Sequence, residues 1–179
     1  GTYIPLDIGT HDQWEAATMG YQNIGPDFWK GEEGRKALIA GTEKLTDPQW
    51  VQPYAEMAKW KPYLADGFQS QTDSDSTNLF ENGRAAIYPA GSWAITSFEQ
   101  NPDLKMGAFP PPVPKAGDQC YISDQLDHGL GINAATKNMD AAKLFAEWLT
   151  TDDFAGLYAN ALPGFFPLTS HPITVNDKI

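Results

Sequence analysis

An α/β fold is the class this sequence predicts. Short apolar runs that read as strands (3–8, 84–88, 104–109 and 129–135) alternate with capped amphipathic stretches that read as helices. Gly- and Pro-rich breaks separate them, and neither an internal repeat nor a low-complexity tract interrupts the pattern. The 179 residues fit one domain or two small ones.

The first run, 3–8, contains Pro5, which argues for an edge strand or a strand end. Asp12 with Glu15 three residues on forms a capping-box variant, and Trp14, Ala17 and Tyr21 follow at near-helical spacing, so a short helix is expected to end by Gly25 and Pro26. The charged run 30–36 reads as a solvated helix face. Asp47 and Pro48 are the clearest helix start, with Trp50, Val51, Tyr54, Met57 and Ala58 as the apolar face and Pro53 within the first turns. Residues 65–77 read as a polar loop leading into a short helix over 77–82, stopped by Gly83.

Residues 84–88 read as a strand, 89–91 as a turn, and Ser92 as the cap of a helix carrying Trp93, Ile95 and Phe98. A strand over 104–109 runs into Pro110, Pro111, Pro112 and Pro114, which cannot continue a sheet interior. A buried strand is expected over 129–135. Asn138 then caps a helix with Ala141, Leu144, Phe145, Trp148 and Leu149 on one face, and Asp152 or Asp153 opens the next, which ends at the aromatic turn Gly164, Phe165, Phe166, Pro167.

Twelve basic against 23 acidic side chains give a net charge of −11. Without a local basic patch, that balance argues against nucleic acid and anionic membrane surfaces as partners. No apolar stretch approaches the roughly 18 residues of a membrane span. The single Cys120 cannot form an internal disulfide and leaves the redox compartment open. The chain starts at Gly1 without an initiator Met or signal peptide, which reads as a processed protein or a recombinant piece.

His11, His128 and His171 show no metal-ligand spacing, so neither a metal site nor a cofactor is expected; nucleophile-elbow, phosphate-loop and dinucleotide motifs are also absent. Carboxylate pairs such as Asp124 with Asp127, or Asp73 with Asp75, could in principle serve glycoside hydrolysis, but an acidic chain supplies such pairs by abundance. Aromatic residues say more: six Trp, seven Tyr and nine Phe, several beside Gly, Pro or polar residues. Sugar rings offer apolar C–H faces and peripheral hydroxyls, so a sugar site combines flat aromatics with hydrogen-bonding side chains. Trp93, and His11 and Asp12 before Trp14, have that character, whereas Trp50, Trp60 and Trp148 fall on helical apolar faces and read as core.

The segment from Phe80 to Trp93, with Gly83, Ala85, Ala86, Gly91 and Trp93 in place and Ile87 where Met is usual, resembles the F-x-x-G-x-A-A-M-x-x-x-G-x-W signature of extracellular solute-binding protein family 1, the carbohydrate receptors of bacterial ABC importers similar to maltose-binding protein. Further resemblances follow in order: Met106 to Pro110, Gly129 to Asn138, the helix with Ala142, Phe145, Trp148 and Leu149, and the Gly164 to Pro167 turn. The resemblance implies a periplasmic-binding-protein (venus-flytrap) type II architecture with incomplete lobes: 1–108 as second-lobe sequence, 109–125 as a proline-rich connection or hinge, and 126–179 as the return to the first lobe. It also implies a fragment of a non-enzymatic receptor, periplasmic or extracellular and lipoprotein-anchored if Gram-positive. Such a receptor captures a mono- or oligosaccharide and delivers it to membrane permease subunits, without inserting in the membrane. Trp93 matches the signature Trp and is the expected stacking platform; His11, Asp12, Trp14, Asp127 and His128 are the expected further ligand-binding residues. A receptor for a polyamine or peptide, a glycoside-active enzyme and a structural domain without a cleft remain as alternatives.

Overall fold

The computed structural model describes residues 3–126, 128–167 and 169–176. The chain divides into two compact units, Gly1–Ala90 with Asn101–Asp124, and Gly91–Gln100 with Gln125–Ile179.

The first unit is built on two short parallel strands, β1 (Ile4–Leu6) and β2 (Ala85–Ile87), in register Ile4 to Ala85 and Leu6 to Ile87. The chain between them is helical: a π-helical segment (Ala16–Tyr21), α1 (Gln22–Ile24), α2 (Pro26–Trp29), α3 (Glu32–Ile39), α4 (Pro48–Ala58) and α5 (Asp73–Glu81). The first helix does not end at Gly25. Gly25 itself is right-handed helical and Pro26 occupies the first position of α2, where its missing N–H costs nothing, so the chain carries on to Trp29 and stops at Lys30, in the left-handed region. On α3, Arg35 donates to both carboxylate oxygens of Glu32 in the open, the solvated face expected of that charged run.

Asp47 stands at the N-cap of α4 but does not cap it: its carboxylate turns back to accept from Lys44 N–H at 2.8 Å. The buried face of α4 is Trp50 with Pro53, while Val51 and Tyr54 are exposed, a rotation from the expected stripe. Burying Pro53 costs the helix no donor, because proline has none. Around Trp50 lies the aromatic centre of this unit. Trp29 stacks on its indole at 4.3 Å and 12°, its Nε1 donates to Glu43 at 2.8 Å, and Tyr21, itself stacked on Tyr54, donates its hydroxyl to Trp50 O at 2.9 Å. The buried Asp27 carboxylate accepts from Tyr121 N–H at 2.6 Å and so ties the proline-rich connection to α2.

Helix α5 begins at Asp73, ahead of the expected Thr77, because Thr72 and Asp75 form a complete capping box within the segment that composition marks as loop. Its stop at Gly83 (φ +63°) is as expected.

In the second unit Ser92–Ala94 form a single 3₁₀ turn before α6 (Ile95–Phe98), with Gly91 rather than Ser92 at the N-cap. Helices α7 (Met139–Trp148) and α8 (Asp152–Ala161) follow, and Thr151 Oγ accepts from Phe154 N–H at the start of α8. Ala94, Phe98, Ala155 and Ala159 are buried. Neither 104–109 nor 129–135 forms a strand. A strand needs a neighbour to pair with, and residues 129–135 are exposed throughout. The apolar face of α7 is likewise uncovered, with Leu144 66% and Phe145 57% exposed and Trp148 outside any core.

Candidate functional site

The carboxyl ends of β1 and β2 gather one polar cluster. In open parallel sheets that is where the backbone leaves room for ligands. The loop after β1 is fastened to the segment before α5: Thr10 N–H donates to Phe68 O, His11 N–H to Gln71 O, and Asp73 N–H to Asp12 Oδ2 at 3.2 Å. Gly9 is needed there, because a Cβ would sit 2.1 Å from Gln71 O. Behind the loop, Gln71 Nε2 donates to Asp7 Oδ1 at 2.6 Å and to Ser76 Oγ at 2.9 Å, and Gly9 N–H donates to the same Oγ at 2.8 Å.

Asp7 is fully buried and its Oδ2 has no hydrogen-bond partner; burial raises its pKa against the lowering effect of the Gln71 bond. Glu15 is also fully buried, with Oε1 accepting from Asp12 N–H and Oε2 without a partner. Only this arm of the expected Asp12–Glu15 capping box forms, because the Asp12 carboxylate is engaged elsewhere. His11 Nδ1 lies 3.2 Å from its Oδ1, and that bond, followed by Asp73 N–H, lowers the Asp12 pKa. Tyr88, at the end of β2, donates its hydroxyl to Asp73 Oδ1 at 2.7 Å, and burial raises its pKa. His11 and Asp12 are thus presented together on an exposed loop, with Trp14, 39% exposed, at the start of the helix that follows.

Trp93 belongs to the second unit and is placed by two glycines. A Cβ on Gly91 would lie 2.0 to 2.3 Å from three atoms of the indole, so the ring lies directly against Gly91. A Cβ on Gly164 (φ +85°) would lie 1.7 Å from Ser92 O and 3.2 Å from Trp93 N, so the turn after α8 rests directly on the Ser92–Trp93 backbone. Ser92 Oγ donates to Gly164 O at 2.6 Å and Thr96 Oγ to Pro163 O at 2.8 Å, closing the contact. His128 is exposed, its ring stacked on Phe165 at 5.3 Å and 21°, with Tyr158 Oη 3.4 Å from Nδ1. Asp127 lies outside the described residues.

The expected site residues therefore sit at two places. His11 and Asp12 lie on the loop after β1 and Trp14 at the start of the helix that follows it, while the Trp93 backbone and the His128 ring lie in the second unit, both against the Gly164–Phe165 turn. Sequence reasoning missed Asp7, Gln71 and Ser76, whose bonds span up to 67 residues, and it missed Phe165 and Tyr158. The Gly164 to Pro167 motif was a signal for Phe165, legible as a turn though not as a support. Among the described residues no group of three or more His, Cys, Asp or Glu side chains is placed to hold a metal ion, and no helix is long and apolar enough to cross a membrane.

Comparison with known proteins agrees with the resemblance. The chain is 29% identical over 103 residues to the "Multiple sugar-binding protein" of Streptococcus mutans serotype c, a match covering 57% of this chain and 23% of that protein. Its fold is similar to that of a "Chitin oligosaccharide binding protein", with a TM-score of 0.68 and 22% identity over 98% of this chain and 44% of the other. The chain thus spans less than half the length of either relative. The model of the bacterial extracellular solute-binding proteins matches residues 8–155, most of the sequence, and the chain belongs to that family.

Proposed function

We propose that this chain is part of the substrate-capturing component of an ABC sugar importer. It takes up a mono- or oligosaccharide in the interlobe cleft of a venus-flytrap receptor, outside the cytoplasmic membrane, and passes it chemically unchanged to the permease. Such a receptor works by binding its ligand more tightly when closed than when open, so that the ligand selects the form the permease engages. Family membership and the sugar-binding names of its relatives support this reading.

The observation that carries the sugar assignment is the mounting of Trp93. An indole seated against the Gly91 backbone, on a stretch of main chain that Gly164 packs against, is a preordered apolar surface suited to the C–H face of a sugar ring. His128 in the same unit, and His11 and Asp12 on the β1 loop, supply hydrogen-bonding groups for hydroxyls, with Trp14 as a second aromatic and Asp127 as a further polar contact. The exposed apolar face of α7 agrees with a chain that is one portion of such a receptor.

A cationic solute such as a polyamine is the second reading, favoured by the exposed carboxylates of Asp12 and Asp75, with half-buried Asp73 between them, around the strand ends. Calorimetric titration with mono- and disaccharides and, separately, with spermidine distinguishes the two. Sugar binding that disappears in Trp93→Ala supports the first; spermidine binding in the absence of any sugar response supports the second.

A further inference from the structure

Two aromatic residues at least 30 positions further along the chain meet His128. Phe165 lies behind its ring, stacked at 5.3 Å and 21°, and Phe165 in turn is carried by Gly164, whose backbone rests on Ser92 and Trp93. Tyr158, on the last turns of α8, meets the Nδ1 edge at 3.4 Å. That distance is long for a hydrogen bond, so the stack and the hydroxyl share the task of holding the ring. An exposed histidine held on one face and one edge is restrained in a way that solvent exposure alone does not require.

The polarity of the Tyr158 contact follows from the two groups. A phenol is a stronger acid than a neutral imidazole N–H, and an imidazole nitrogen is a stronger base than a phenol oxygen, so the hydroxyl donates and Nδ1 accepts. Neutral imidazole carries a single N–H, which must then sit on Nε2.

We propose that Tyr158 and Phe165 are positioning residues that hold His128 as an Nε2–H donor in the unit that carries Trp93. The ligand meets this donor through an accepting oxygen, a sugar hydroxyl or an amide carbonyl. This rests on the sugar reading for the identity of the ligand, though not for the coupling between Tyr158 and His128. A sugar ring lying on Trp93 is fixed in plane by stacking but is free to rotate; one oriented donor that reaches its hydroxyls selects among their configurations. His128 is therefore the specificity-determining contact of this part of the site.

The test has two arms. In the first, nitrogen-15 NMR of the ligand-free protein at mildly alkaline pH reads the His128 tautomer in wild type and in Tyr158→Phe, a change that keeps the ring and removes only the hydroxyl. The expected result is a single Nε2–H tautomer that becomes a mixture in the variant; unchanged His128 signals would overturn the coupling. In the second, calorimetry measures whichever of maltose, sucrose, cellobiose or chitobiose binds wild type. Tyr158→Phe and His128→Gln are expected to weaken it roughly fivefold, the effect of one hydrogen bond. Unchanged affinity in both variants would overturn the ligand contact. Absence of any sugar response both in this chain and in a form that includes the remaining length of its relatives would refute the sugar reading and the ligand contact with it, while the tautomer result still decides the coupling.

Discussion

Replacing Gly164 by alanine tests the contact on which the second unit's site is built. Two costs are separable. A φ of +85° is a left-handed conformation that an L side chain enters at about 1–2 kcal/mol. The added Cβ would also stand 1.7 Å from Ser92 O, a backbone atom that cannot rotate aside, so the turn must withdraw and forfeit the Ser92–Gly164 and Thr96–Pro163 hydrogen bonds. At about 1 kcal/mol each, these bring the expected destabilisation to roughly 3–4 kcal/mol. Gly67→Ala is the matched control, because Gly67 has φ +79° with nothing within 4 Å of the added carbon; only the conformational cost of about 1–2 kcal/mol applies there. Urea unfolding followed by tryptophan fluorescence and far-UV circular dichroism gives both values. If Gly164→Ala costs no more than Gly67→Ala, the turn does not support Trp93 as described.

Three other outcomes are expected. Gly91→Ala should leave the fold intact but turn the Trp93 indole away from its seat, seen as a changed near-UV circular dichroism signal with an unaltered far-UV spectrum. Thr72→Ala removes one arm of the α5 capping box and should lower stability by about 1 kcal/mol in urea titrations. Asp7→Asn should stabilise the protein at neutral pH, because it removes a buried carboxylate whose second oxygen has no partner. The sign follows from linkage. The folded-state pKa is raised, so the wild type loses stability as pH climbs from the ordinary carboxylate value through the raised one. The gain in Asp7→Asn accordingly grows as pH rises from the ordinary carboxylate value through the raised one and vanishes in acid; a gain that grows on acidification would refute the assignment.

Local signals were legible wherever the chain decides its own conformation. Pro48, Gly83 and the Gly164 turn each act through the backbone of one or two residues, and all three stand where the sequence puts them. Thr72 and Asp75 were equally local, but Ser- and Asp-rich composition hid a capping box inside a segment that resembles a loop. The strands expected over 129–135 and 104–109 fail for a different reason: apolar patterning proposes a strand, and only a neighbouring strand completes one. The same holds for α7, whose stripe is correct in period but, among the described residues, is left largely exposed, with Trp148 meeting Phe154 of α8 edge-on.

At the site, Trp93 was legible because a signature surrounds it. Its support was not, since Gly164 reaches Ser92 across 72 residues and acts through the absence of a side chain. Asp7 offered no signal at all, for nothing in a short strand-like run distinguishes a buried aspartate from a terminal one.

The most direct measurement is thermal denaturation of this chain, and of a longer form that includes the remaining length of its relatives, against mono- and disaccharides, each with and without Trp93→Ala. A ligand that binds only the folded protein raises its apparent stability. The sugar-receptor reading predicts that at least one sugar raises the midpoint of the longer form and that Trp93→Ala abolishes the shift. A longer form that responds to no sugar, or a shift that survives Trp93→Ala unchanged, would contradict it.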